Sequence, residues 1–113
     1  MFNNFMDNMS ETVVEQMFLQ LLKDFTVNDL SWATSNNVSL LALTEKNNPK
    51  LLRTASGLAK KFKGQGYLLN TKNVMIWLKE KRPELYTSLN LVPERKVWLS
   101  KQVNDFRQFL FEM

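Results

Sequence analysis

Six residues of this 113-residue chain, three prolines and three glycines, are strong breakers of regular structure, and their placement constrains the fold more than any other feature. Pro49, Pro83 and Pro93 each stand at the head of a run in which apolar side chains recur at helical spacing. There a missing N–H and a fixed φ cost a helix nothing. Gly57, Gly64 and Gly66 are confined to one short stretch in the middle. Hairpins and sheets need turn residues at many more points than this. The chain is therefore predicted to be all-α: a single-domain helical bundle of five or six helices over residues 1–113, with 1–9 a flexible N-terminal segment.

Taken in order, Ser10 is the expected cap of a first helix running to Phe25, with Val14, Phe18, Leu21 and Phe25 as its inner stripe. Thr26 with Asp29 forms a capping pair that starts a short second helix through Leu30 and Ala33. Ser35, Asn36 and Asn37 make a turn, followed by a helix whose inner side is Val38, Leu41 and Ala42. That corner has the outline of a helix-turn-helix but no base before Lys46, so it reads as structural. Asn48 and Pro49 open the next helix, in which Leu51, Leu52, Ala55, Leu58, Ala59 and Phe62 repeat at helical spacing. Gly57, in its interior, costs about 1 kcal/mol relative to Ala and predicts a close crossing or a break. Gly64 is the expected left-handed residue that stops the helix. Residues 66–70 form a turn or a short strand, Thr71 or Asn70 caps a helix with Val74, Trp77 and Leu78 inward, and Arg82 before Pro83 marks a boundary. Leu85, Tyr86 and Leu89 turn inward after it. Pro93 opens the last helix, whose inner stripe is Leu99, Val103, Phe106 and Leu110. Trp98, Phe109 and Phe111 lie off that stripe, so the helix is either wrapped on two sides or part of a dimer contact.

Charge is distributed unevenly. Nine of the fifteen Lys and Arg residues fall in 50–82 against one acid, Glu80, a formal +8. Residues 1–49 carry −4, and 83–113 balance. A concentrated positive segment raises the local density of anionic partners, among which nucleic acid is the commonest.

Catalysis has little to work with. The chain has no Cys and no His, which removes the usual thiolate nucleophile, the commonest general base and the commonest metal ligand. The eleven acids are scattered, no phosphate-binding loop motif occurs, and GQG lacks the context of a dinucleotide fingerprint. The expectation is a non-enzyme with no cofactor, no metal and no small-molecule substrate. No apolar run approaches the roughly 20 residues that span a bilayer, and the start lacks signal-peptide character. With cysteine absent, a cytoplasmic location and no membrane partner are expected.

Within the basic stretch, Leu58-Ala59-Lys60-Lys61-Phe62, a turn, and then NVMIWLKEK resemble the helix pair of the helix-turn-helix superfamily over residues 58–82, with a longer joint from Lys63 to Lys72. The resemblance implies a DNA-binding module whose second helix enters a groove. Lys50, Arg53, Lys60, Lys61, Lys63 and Lys72 are the candidate phosphate contacts. Gln65, Asn73 and Lys79 are the polar groups for base edges, and Arg82 ends the basic track. Tyr67 either stacks on a base or plugs the core. The expected partner is nucleic acid, DNA ahead of RNA, in transcription or replication control. The alternative is a protein-interaction module or a homodimer through the C-terminal helix.

Overall fold

Among the described residues all the regular secondary structure is helical, and its helix ends fall where the capping chemistry puts them. The computed structural model describes residues 12–111, the side chains at 55, 56, 58–60, 62–65, 110 and 111 excepted. The flexible segment expected over 1–9, and Ser10, lie outside these. Among the described residues there are seven α helices, against the five or six expected: α1 Val13–Leu21, α2 Val27–Ser35, α3 Leu40–Asn47, α4 Pro49–Phe62, α5 Thr71–Lys81, α6 Pro83–Leu91 and α7 Pro93–Phe111. A 3₁₀ helix, Lys63–Leu68, joins α4 to α5.

Each start has a visible cause. The Thr12 hydroxyl accepts the Glu15 N–H at 2.9 Å, so α1 begins there and stops at Leu21, short of Phe25. Thr26 and Asp29 form the reciprocal capping box, each side chain accepting the other's backbone N–H at 3.1 and 2.9 Å. Ser39 caps α3, which puts Leu40 and Thr44 inside and leaves Ala42 exposed, not inward as its spacing predicted. Asn48, Arg82 and Val92 are single-residue joints ahead of Pro49, Pro83 and Pro93. The proline stops one helix and begins the next. Asn70, rather than Thr71, caps α5 by accepting the Asn73 N–H at 2.9 Å.

Two expectations about glycine fail. The chain passes through Gly64 and Gly66 as a tightened 3₁₀ helix, and the positive φ among the described residues belongs to Asn37, at 52°, in the α2–α3 turn. No strand forms at 66–70. Gly57 keeps helical geometry in mid-α4, and a Cβ built there meets nothing within 4 Å, so neither a crossing nor a break accounts for it.

The helix α7 is the element on which the rest assembles. It packs against α2, α3, α4, α5, α6 and the 3₁₀ helix. Val103 and Phe106 are about 1% exposed, and Phe106 meets Phe18 of α1 edge-on at 5.9 Å. Trp98 is buried against Phe25, stacked at 6.0 Å, and its indole N–H donates to the Val38 carbonyl at 2.8 Å. Phe109 is half-buried against Phe106 at 5.6 Å. For Trp98 and Phe109, of the two uses the sequence allowed, the helix is wrapped on two sides. One buried polar contact fixes the register of α7 on α3: Gln102 Oε1 accepts the Leu40 N–H at 2.9 Å.

Helices α4 and α5 do not pack closely on one another. α4 lies on α1, α3 and α7, whereas α5 lies on α6 and α7. No described helix is long and apolar enough to cross a membrane.

Candidate nucleic-acid interface

Among the described residues, the basic segment puts exposed cations on α4 and on α5 and turns Arg82 inward. On α4, at about 100° per residue, Lys50, Arg53, Gly57 and Lys61 share an arc of about 80°, opposite the arc of Leu51 and Leu52. Lys50, Arg53, Gly57 and Lys61 are exposed. With no side chain, Gly57 leaves the centre of this arc open down to the helix backbone, which lets another backbone approach closely.

On α5 the inward residues are Val74, Trp77 and Leu78, as the spacing predicted. The outward stripe is Lys72, Ile76 and Lys79, at i, i+4 and i+7. Ile76 is 48% exposed between the two cations. The Lys79 ammonium also lies 5.8 Å from the centre of the half-buried Tyr86 ring, an attraction that orients its stem along α6. Lys81 is exposed at the end of the helix. Lys63 and Gln65 lie in the 3₁₀ helix and Lys60 in α4, and their side chains fall outside the described ones.

Two candidate contacts are engaged inside the molecule. The Asn73 amide donates to the Leu68 carbonyl at 2.8 Å, so it ties the end of the 3₁₀ helix to α5. Arg82 is the inward contact. Its Nη1 donates to the Leu22 carbonyl, its Nη2 to the Phe25 carbonyl at 2.5 Å, and its Nε to Glu84 at 2.6 Å. A guanidinium with three donors so placed holds the α1–α2 corner against the α5–α6 joint. The Glu84 carboxyl is held below its ordinary pKa chiefly by that hydrogen bond from Arg82.

Tyr67 does not plug the core. It is 65% exposed on the 3₁₀ helix, between the two basic helices in sequence, while Leu69 two residues on is fully buried. Among the described residues no group of three or more carboxylates is placed to hold a metal ion.

In the first half of the chain, α1, α2, α3 and the start of α4 bound a cleft of about 270 Å³. Its lining includes Asp24, Asp29 and Trp32, none of which the sequence pattern singled out as functional. A signal was present for Trp32: it stands about 160° round α2 from the buried Leu30, so it is a tryptophan on the polar side of a short helix. No family model matches the chain, and neither a curated protein nor a solved structure matches it.

Proposed function

We propose that this chain is a non-enzymatic nucleic-acid-binding protein, acting on DNA in preference to RNA, in transcription or replication control. The observation that carries the reading is the α4 face: exposed cations confined to one arc, with an unfilled glycine at its centre. A phosphate backbone is a close-packed row of charges, and a flat cationic helix face with exposed backbone in the middle suits it. In this reading α4 lies along the phosphates and α5 turns Lys72, Ile76 and Lys79 towards the bases. That division of labour resembles the helix-turn-helix, with a longer joint between the two helices. Tyr67 supplies an aromatic surface beside both, suited to stacking on an unpaired base.

The test is fluorescence anisotropy with labelled duplex and single-stranded DNA and RNA at several salt concentrations. If Lys50, Arg53 and Lys61 each meet a phosphate, log K falls with log salt with a slope of about −3 on duplex DNA. Arg53→Ala lowers that slope by about 1 across all sequences. Absence of binding at low salt, or binding indifferent to salt, overturns the proposal.

The second reading, a homodimer through the C-terminal helix, has one feature in its favour: Leu91 and Val97, beside the α6–α7 joint, are each 71% exposed. Light scattering on Val97→Glu decides it, because a dimer through this patch dissociates and a monomer is unchanged.

A further inference from the structure

Of the three tryptophans, two are used by the core. Trp77 is 9% exposed and Trp98 6%, whereas Trp32 is 53% exposed and forms part of the lining of the α1–α2–α3 cleft. A large aromatic surface left uncovered beside a concavity is the usual mark of a ligand site. The cleft's volume, about 270 Å³, is close to the smallest of the ordinary small-molecule pockets, which run from about 300 Å³ upward.

The lining defines the ligand's chemistry. Leu21 and Leu40 give it an apolar floor, both buried. Thr44, 6% exposed, also lines it, and its hydroxyl hydrogen is already donated to the Leu40 carbonyl at 2.9 Å. What Thr44 has left is an acceptor. At the rim stand the exposed carboxylates of Asp24 and Asp29, against the single base Lys23. Asp29 uses one oxygen, Oδ2, for the Thr26 cap. The site therefore offers acceptors, negative charge and an aromatic face. A guanidinium matches all three: it is planar, only donates, keeps its charge, and stacks on an indole.

We propose that this cleft binds a small guanidinium compound, with the planar cation against Trp32 and its N–H groups directed to Asp24, Asp29 and Thr44. The cleft reaches the first turn of α4 at Leu51, next to Lys50, but Trp32, Asp24, Asp29 and Thr44 are none of the residues assigned to nucleic acid, so the fate of one proposal does not decide the other. An ammonium of the same size is a weaker ligand, because it is more strongly hydrated and cannot lie flat on the ring.

The probe is arginine amide, titrated into the full chain and followed by two-dimensional NMR, with citrulline amide as its neutral isostere. Arginine amide is expected to shift the Trp32 indole N–H and the Thr44 amide saturably in the millimolar range, and citrulline amide to leave both in place. Trp32→Phe and Asp24→Asn alter exposed groups and leave the fold intact. Each is expected to weaken binding about two- to five-fold, the Thr44 amide serving as the signal in the former. Non-saturable shifts, equal shifts with the neutral isostere, or unchanged affinity in both variants overturn the proposal.

Discussion

Replacing Arg82 with alanine separates the stability of the fold from its ligand surface. The side chain is 23% exposed and makes two hydrogen bonds from a charged group to main-chain carbonyls at the α1–α2 corner. Such bonds are worth about 1.5–3 kcal/mol each when a partner is left behind. The two carbonyls are not equivalent. Leu22 also accepts the Phe25 N–H at 3.0 Å and stays partly satisfied, so most of the loss falls on Phe25. Partial exposure lets water recover some of the remainder. The expected cost is about 2–3 kcal/mol, read as the shift in a urea transition followed by circular dichroism, or as a fall in Tm of roughly 8–15 °C. Arg82→Lys keeps one point donor and should recover about half of that loss. Below the new transition the folded Arg82→Ala protein should bind nucleic acid within about twofold of the parent, because its charge is spent internally; a twofold change is about 0.4 kcal/mol. A loss of less than about 1 kcal/mol in stability, or a drop in affinity matching that of Arg53→Ala, refutes the structural role assigned here.

Gly57→Ala should stabilise the protein by about 0.5–1 kcal/mol in the same urea assay, since its φ is helical and the added methyl meets open space; a destabilisation shows that the position is not an ordinary helix interior. Gln102→Leu keeps the volume but strands the buried Leu40 N–H, at an expected cost of about 1–3 kcal/mol, and a neutral result shows that the contact does not hold α3 on α7. Glu84, whose folded pKa lies below the ordinary 4.5, contributes stability that is present above that value and lost as pH falls through the folded pKa. The gap between the parent and Glu84→Gln in thermal unfolding should therefore close on acidification below pH 4.5, and a gap that stays constant with pH contradicts the ion pair.

The parts of this fold that were legible in the sequence are those whose cause is local. Thr26 with Asp29, Asn48 before Pro49, Arg82 before Pro83 and Pro93 each end or begin a helix through contacts within four residues, and the helices start where those residues say. The inward residues of α5, and Leu99, Val103 and Phe106 of α7, followed from period alone. What escaped notice was non-local. The Arg82 guanidinium meets carbonyls 57 and 60 positions away, and Gln102 meets an N–H 62 positions away. Backbone groups look the same at every residue, so no residue type announces a partner of that kind. Arg82 therefore read as one more cation in a basic run. The cleft was hidden for the same reason: its walls come from four stretches of chain, and only Trp32, a tryptophan off the buried line of α2, hinted that a surface had been left open.

Removing Arg82 from the basic track, and dividing what remains between two helices that both pack on α7 and do not pack closely on each other, changes what kind of binding this charge can support. A continuous +8 surface would hold nucleic acid tightly whatever its sequence. An α4 face with three described cations, Lys50, Arg53 and Lys61, releases few counterions, so its affinity is modest at low salt and lost by physiological salt unless other contacts contribute. The groups able to contribute them are those the core leaves exposed beside the cations: Ile76 on α5, Tyr67 on the 3₁₀ helix and the bare backbone at Gly57. Under the proposed function these apolar and backbone contacts, rather than the lysines, distinguish one nucleic acid from another. Tyr67→Ala should then weaken single-stranded binding by about 1–3 kcal/mol without altering its salt slope, whereas Arg53→Ala alters the slope on every ligand alike. Parallel salt titrations of the two variants distinguish these effects, and a Tyr67→Ala protein whose slope changes as that of Arg53→Ala does rules out this division of roles.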